Sequence, residues 1–308
     1  MYRPCYLNLS KEQWKEKVYH AVKALDKCKL CPHGCQVCRI ENQQGICKTG
    51  RMAYVASFGP HMGEEDCLRG KKGSGTIFFS RCNLLCVFCQ NCDVSHYGEG
   101  YEVTAESLAA IMLEIQKHGC HNLNLVTPTH VVPQILESLE LAVEGGLSIP
   151  IIYNSNGYDS IDTLKLLEGI IDIYMPDIKF LDSAISGKFT VAKNYGEIVR
   201  ASVKEMQRQV GDLVIQEDGL AQRGLLARHL VMPGNICNTK EIMEFLVKEV
   251  SPNIYVNLMS QYHPSGAAWS FPELRRVITR EEFEYAYQQC LDSGIQRFDN
   301  RPLRRFFW

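Results

Sequence analysis

The sequence predicts an α/β fold: a partial (β/α)6 barrel carrying a small N-terminal Cys-rich extension. Two observations lead there. From about residue 71 onward, six apolar runs of strand length, rich in β-branched residues, alternate with helical patterns. And nine of the fourteen cysteines crowd into two short stretches, one ahead of that alternation and one directly after its first strand.

In chain order, Ser10-Lys-Glu-Gln13 has the form of a capping box and opens a helix to about Leu25. A stretch punctuated by proline, glycine and cysteine follows to about residue 70. Strands are then expected at Thr76–Phe79, Leu123–Thr127, Pro150–Tyr153, Ile170–Tyr174, Leu225–Val231 and Ile254–Leu258. Helices are expected from Thr104 to Gly119, from Pro133 to Gly145, from Ser160 to Gly169 and over Tyr195–Val210. Two more run from Asn238 to before Ser251 and from the capping box Thr279-Arg-Glu-Glu282 to Gly294. Strand–helix units in series require parallel strands joined by crossovers. Six units fall short of the eight that close a barrel, so the sheet stays partly open, with ligands at the C-terminal strand ends. The divisions are 1–70 (helix and Cys-rich segment), 71–296 (partial barrel) and 297–308 (a basic, aromatic tail).

The chain has 308 residues, 45% of them hydrophobic, and a formal charge of −2. No basic stripe points to nucleic acid. The apolar runs are too short to span a bilayer, and MYRPCYLNLS lacks the core of a secretory signal, so a cytoplasmic location is expected. In a reducing compartment so many cysteines argue for metal or cluster ligation rather than disulfides.

Cys82, Cys86 and Cys89 follow the first strand at spacings suited to iron–sulfur ligation. Cys92 leaves two readings open. Four thiolates would make a closed zinc or electron-transfer centre, whereas three would leave one iron free. The segment Cys82-Asn-Leu-Leu-Cys86-Val-Phe-Cys89 resembles the CxxxCxΦC signature of the radical S-adenosylmethionine superfamily, Φ being aromatic. The resemblance implies a 4Fe–4S cluster on Cys82, Cys86 and Cys89, S-adenosylmethionine chelated by the fourth iron, Phe88 against the adenine, and Cys92 as a bystander.

Further segments resemble the activating enzymes of glycyl-radical enzymes, such as the pyruvate formate-lyase activase. Tyr153-Asn-Ser-Asn-Gly-Tyr158 is similar to their DTNGF, Met175-Pro-Asp-Ile-Lys179 to MxDxK, Val231-Met-Pro-Gly234 to VxPG, and Tyr262-His-Pro-Ser-Gly-Ala-Ala-Trp269 to YHxxG…W. This implies cofactor contacts from Asn154, Asn156, Asp177, Lys179 and His263. Two departures stand out. Where the superfamily carries Gly-Gly-Glu after the second strand, this chain has Val126-Thr-Pro-Thr-His130, leaving Thr127 and Thr129 as the oxygen donors. Asn154 replaces an aspartate that helps the activases bind a cation.

Upstream, Cys28-Lys-Leu-Cys31-Pro-His-Gly-Cys35 with Gly45-Ile-Cys47 resembles the N-terminal segment of an activase-like branch. Its four cysteines suit either zinc or a second iron–sulfur cluster, with Cys38 spare. The expected activity is reductive cleavage of S-adenosylmethionine to a 5′-deoxyadenosyl radical, fed by a low-potential ferredoxin or flavodoxin. The radical's target is a glycine on a glycyl-radical partner or a small molecule. The alternative is a non-catalytic electron-transfer protein with closed four-cysteine sites.

Overall fold

The structure, a computed structural model, describes residues 2–299. The tail expected over 297–308 therefore lies, from Asn300 on, outside the described residues. Among the described residues ten strands form one sheet: β1 (Ala53–His61), β2 (Ser74–Phe79), β3 (Tyr101–Val103), β4 (Leu123–Val126), β5 (Ile151–Asn154), β6 (Ile173–Tyr174), β7 (Val214–Ile215), β8 (Ala221–Leu230), β9 (Tyr255–Met259) and β10 (Arg297–Phe298). Their order is β10-β9-β8-β6-β5-β4-β2-β1-β3, with β7 antiparallel on β8. From β2 to β10 every neighbouring pair along this order is parallel. Each strand is added on the same side of the one before, so the crossovers wind in one direction and the sheet curls without closing. This is the partial barrel that the alternation predicts.

The six expected strands are β2, β4, β5, β6, β8 and β9. β6 is shorter than its apolar run, because Ile170 and Ile171 sit in a turn that buries them instead. Two antiparallel strands, β1 and β3, were not legible: Gly59 and Pro60 interrupt β1, and β3 is only three residues long.

Alternation along the strands sorts the core into two layers. Ile151, Tyr153, Tyr174, Leu225, Ala227 and Val256 belong to the large cluster that the crossover helices cover. Their neighbours Ile152, Ile173, Leu226 and Tyr255 belong to a second, smaller cluster on the inner face. The N-terminal helix Lys11–Lys23, begun by the expected Ser10/Gln13 capping box, packs on the helix Val132–Glu144. Ahead of it, Asp172 accepts hydrogen bonds from Tyr2 Oη (2.7 Å), Cys5 N (2.8 Å) and Ile151 N (2.9 Å), tying the chain's start to the base of β5. No described helix is long and apolar enough to cross a membrane.

Candidate active site

Loops leaving the C-terminal ends of β2, β4, β5, β6 and β9 converge on one cavity of about 570 Å³. Cys82, Cys86 and Cys89 line it, with Thr127, Asn154, Asn156, Asp177 and Lys179 around them. Left-handed backbone at Arg81 (φ 72°) and Leu85 (φ 46°) folds the cysteine loop back on itself.

The three thiols differ in surroundings. Cys82 Sγ accepts from Leu84 N (3.3 Å) and Asn156 Nδ2 (3.4 Å), and Asn156 Nδ2 also donates to Asn83 Oδ1 (2.8 Å). Burial pushes the Cys82 and Cys86 thiols up. Burial acts the same way on Cys89, but hydrogen bonds from His96 and Ser95 outweigh it and hold that thiol below its ordinary value. Ser95 Oγ lies 3.1 Å from Cys89 Sγ and 2.7 Å from His96 Nδ1. Cys92 starts the helical turn Cys92–Ser95, with Asp93 Oδ1 3.8 Å from its sulfur, and is not among the residues lining the cavity.

Opposite the thiols, Lys179 Nζ donates to Asp177 Oδ2 at 2.5 Å. Burial lowers the lysine's pKa, but the Asp177 carboxylate beside it works the other way, and the net shift is upward, so the ammonium stays charged. Tyr195 fixes this wall: its Oη lies 2.8 Å from the carbonyls of both Asn156 and Asp177 and accepts from Lys179 N at 3.2 Å. The loops can approach because residue 157 is glycine at φ 78°; a Cβ there would stand 2.7 Å from the Asp177 carbonyl.

Three expected cofactor residues sit away from the cavity. Phe88 is buried against Phe180 and Tyr262, with ring centroids 5.9 and 6.4 Å away. Thr129 is fully buried and donates to Asp159 Oδ1 (2.8 Å), a carboxylate that also accepts from Tyr153 and Ser155. His263 is exposed in an adjoining groove with Gln90, Tyr262 and Val277, its Nδ1 3.2 Å from the Gln261 carbonyl.

The N-terminal cysteines Cys28, Cys31, Cys35 and Cys47 share a second, much smaller cavity, which Cys38 does not line. Among the described residues, no three His, Cys, Asp or Glu side chains are gathered tightly enough to ligate a single ion as they stand.

No family profile matches the chain. It is, however, 33% identical over 281 residues to uncharacterized protein MJ0674 of Methanocaldococcus jannaschii, matching 88% of this chain and 76% of the relative. The chain belongs to the MJ0674 family. Similar solved structures are Streptococcus suis SuiB bound to precursor peptide SuiA (12% identical, TM-score 0.46), anSMEcpe with bound AdoMet and Cp18Cys peptide (11%, 0.47) and methylornithine synthase PylB (13%, 0.45). They match 71%, 71% and 96% of this chain, which spans 46%, 60% and 79% of them respectively. Likenesses this remote do not bear on chemistry.

This member of the MJ0674 family also carries a charged wall in the same cavity that its sequence did not reveal. Arg228 of β8 donates from Nε and Nη2 to Glu65 (both 2.7 Å) and from Nη2 to Glu64 (2.5 Å). Asn257 Nδ2 of β9 donates to Glu65 Oε1 at 2.6 Å, and His61 Nδ1 lies 3.0 Å from Glu64 Oε1. Burial pushes the Glu64 carboxyl up, but Arg228 and His61 hold it down at about 2. The only hint in the sequence was Gly63-Glu64-Glu65-Asp66, a run that by itself reads as solvated surface.

Proposed function

We propose that the chain is a radical S-adenosylmethionine enzyme, with Cys82, Cys86 and Cys89 as the ligands of a 4Fe–4S cluster and S-adenosylmethionine in the cavity beside them. The observation that carries this reading is the partition of the cysteines. Three thiols from one loop face a cavity lined by polar side chains, while the neighbouring Cys92 is not among its lining residues. That donor set fits a cluster needing three protein sulfurs and an outside ligand for its fourth iron. When bound and reduced, the cluster supplies the electron that splits the cofactor into methionine and a 5′-deoxyadenosyl radical.

The chain's own residues bind and orient. Asp177 and Lys179 offer one acceptor and one charged donor to the ammonium and carboxylate of an amino-acid moiety. Thr127, Asn154 and Asn156 add neutral hydrogen-bonding groups on the same side. Tyr195 holds the loops carrying Asn156, Asp177 and Lys179 in register. Phe88 acts as packing beneath the cysteine loop.

Two targets for hydrogen abstraction are in play. The activase-like segments after β5, β6, β8 and β9 support a glycine on a glycyl-radical partner. The enclosed wall of Glu64, Arg228 and Asn257 favours a small polar molecule instead, because a buried charged surface is costly to keep without a function. A low-potential ferredoxin or flavodoxin is the proposed electron donor in both cases.

The test is anaerobic reconstitution with iron and sulfide, then reduction with S-adenosylmethionine present. Wild type and Cys92→Ala are expected to accumulate 5′-deoxyadenosine, and Cys86→Ala none. Loss of the cluster in Cys92→Ala would overturn the three-thiolate assignment in favour of a closed electron-transfer centre.

A further inference from the structure

Between Ala24 and Met52 the chain forms no helix and no strand. The apolar cluster beneath it comprises Leu25, Cys28 and Leu30, with Ala24 and Val37 against them. A folded segment with so small a core needs another constraint, and disulfides and metals are the usual ones. All the cysteines here are free thiols. Four of them, Cys28, Cys31, Cys35 and Cys47, share one cavity. The backbone is shaped for it: Gly34 turns at φ 51°, and a Cβ on Gly45 would fall 2.6 Å from Cys35 Sγ, so only glycine lets those two strands of loop meet.

A second observation is independent of the thiols. Arg39, 1% exposed, lines the same cavity. Its Nε donates to the Gly50 carbonyl (3.0 Å); its Nη1 donates to the His130 carbonyl (2.8 Å) and lies 3.8 Å from Cys28 Sγ. Among the described residues its Nη2 is buried with no partner, and no carboxylate pairs with the guanidinium. A buried guanidinium without an anion is strongly unfavourable. Neutral thiols do not answer it, whereas a metal held by four thiolates carries the missing negative charge.

We propose that Cys28, Cys31, Cys35 and Cys47 hold a second, thiolate-bound metal centre for which Arg39 is the buried counter-charge. The metal is thiophilic, a zinc-class ion or an iron–sulfur cluster, and binding draws the thiols inward from their present spacing. This centre reaches the catalytic loop by two short routes. His33 Nε2 donates to the Asn83 carbonyl (2.7 Å), next to Cys82, and His130 Nε2 donates to the Ser80 carbonyl (2.9 Å). The linkage rests on the radical-site reading above; the metal site does not.

The test is therefore made with that site removed. Cys82→Ala/Cys86→Ala/Cys89→Ala, purified anaerobically, is expected to retain zinc, or iron with sulfide and a visible charge-transfer band, at about one centre per chain. Elemental analysis and the absorption spectrum distinguish the two metals. Adding Cys31→Ala/Cys35→Ala should abolish the retained metal. Arg39→Gln, with all nine clustered cysteines intact, should speed metal loss to a chelator about ten- to a hundredfold, the worth of a charge-assisted contact. If the added pair does not fold, thiol titration of the triple variant decides: Cys28, Cys31, Cys35 and Cys47 should be protected until chelator is added. A triple variant free of metal after growth and reconstitution with zinc and iron, or with those thiols reactive throughout, would overturn the proposal.

Discussion

Replacing Arg228 by alanine should be among the most damaging single changes in the cavity wall. The guanidinium makes three hydrogen bonds to two carboxylates, and the side chains of Glu64 and Glu65 are 7% and 0% exposed. Removing it leaves two neighbouring anions without their shared cation, and breaking a buried pair on one side costs about 3–5 kcal/mol. For a chain of 308 residues that is a fall in Tm of roughly 5–8 °C. The sign of the pH dependence follows from linkage. Arg228 and His61 hold Glu64 at about 2, below an ordinary glutamate, so its contribution is full at neutral pH and is lost as pH falls toward 2. In Arg228→Ala burial raises the Glu64 carboxyl with that cation gone, so the deficit should be largest near pH 7 and shrink toward pH 5 as Glu64 protonates. Urea unfolding of the metal-free protein at several pH values, under anaerobic conditions, measures this. Arg228→Met/Glu64→Gln/Glu65→Gln should recover most of the loss. A deficit under about 1 kcal/mol, or one constant with pH, would refute the reasoning, because only an exposed pair behaves that way.

Further outcomes can be stated briefly. Burial holds His229 at about 4, with Nδ1 2.8 Å from the Ile178 carbonyl and Nε2 3.0 Å from Thr239 Oγ1. The unfolded chain takes up that proton first as pH falls. Stability should therefore drop between about pH 6.5 and pH 4, and a folding variant His229→Gln should flatten that slope in denaturant titrations. Gly157→Ala forces a Cβ into the Asp177 carbonyl at positive φ; it should cost about 1–3 kcal/mol in melting and weaken S-adenosylmethionine binding measured by calorimetry. Lys179→Met removes the charged donor that lines the cavity and, on the proposed function, should weaken the same binding about ten- to a hundredfold while leaving cluster content unchanged. Unchanged affinity would place the cofactor elsewhere in the cavity.

Parallel strands such as β5 and β9 were legible because they are buried on both faces and so read as unbroken apolar runs followed by a helix. β1 was not, since a strand pairing antiparallel near an edge tolerates the Gly59-Pro60 that in sequence signals a break. The triad Cys82, Cys86 and Cys89 was readable from local spacing. Asp177 and Lys179, which line the cavity, were picked out by the resemblance of Met175-Pro-Asp-Ile-Lys179 to the activases' MxDxK, on a loop after a strand end. The Glu64–Arg228 wall was hidden, its partners lying 164 residues apart with nothing in either neighbourhood to name the other. Thr129 shows the converse error: a hydroxyl placed correctly on a site loop can still be turned inward to serve a buried carboxylate.

The knot at Asp172 has a practical consequence. It lies at the base of the sheet, beneath the strand whose far end carries Asn154, and two of its three hydrogen bonds come from the Tyr2 hydroxyl and the Cys5 backbone N–H. Trimming those residues, or crowding them with a bulky fusion, would strip a buried carboxylate of two of its three hydrogen bonds and loosen the contact below β5. Preparations would lose yield and heat tolerance while the residues around the cysteine loop stayed intact. A weak preparation of that kind would report on how the chain was cut, and not on its chemistry.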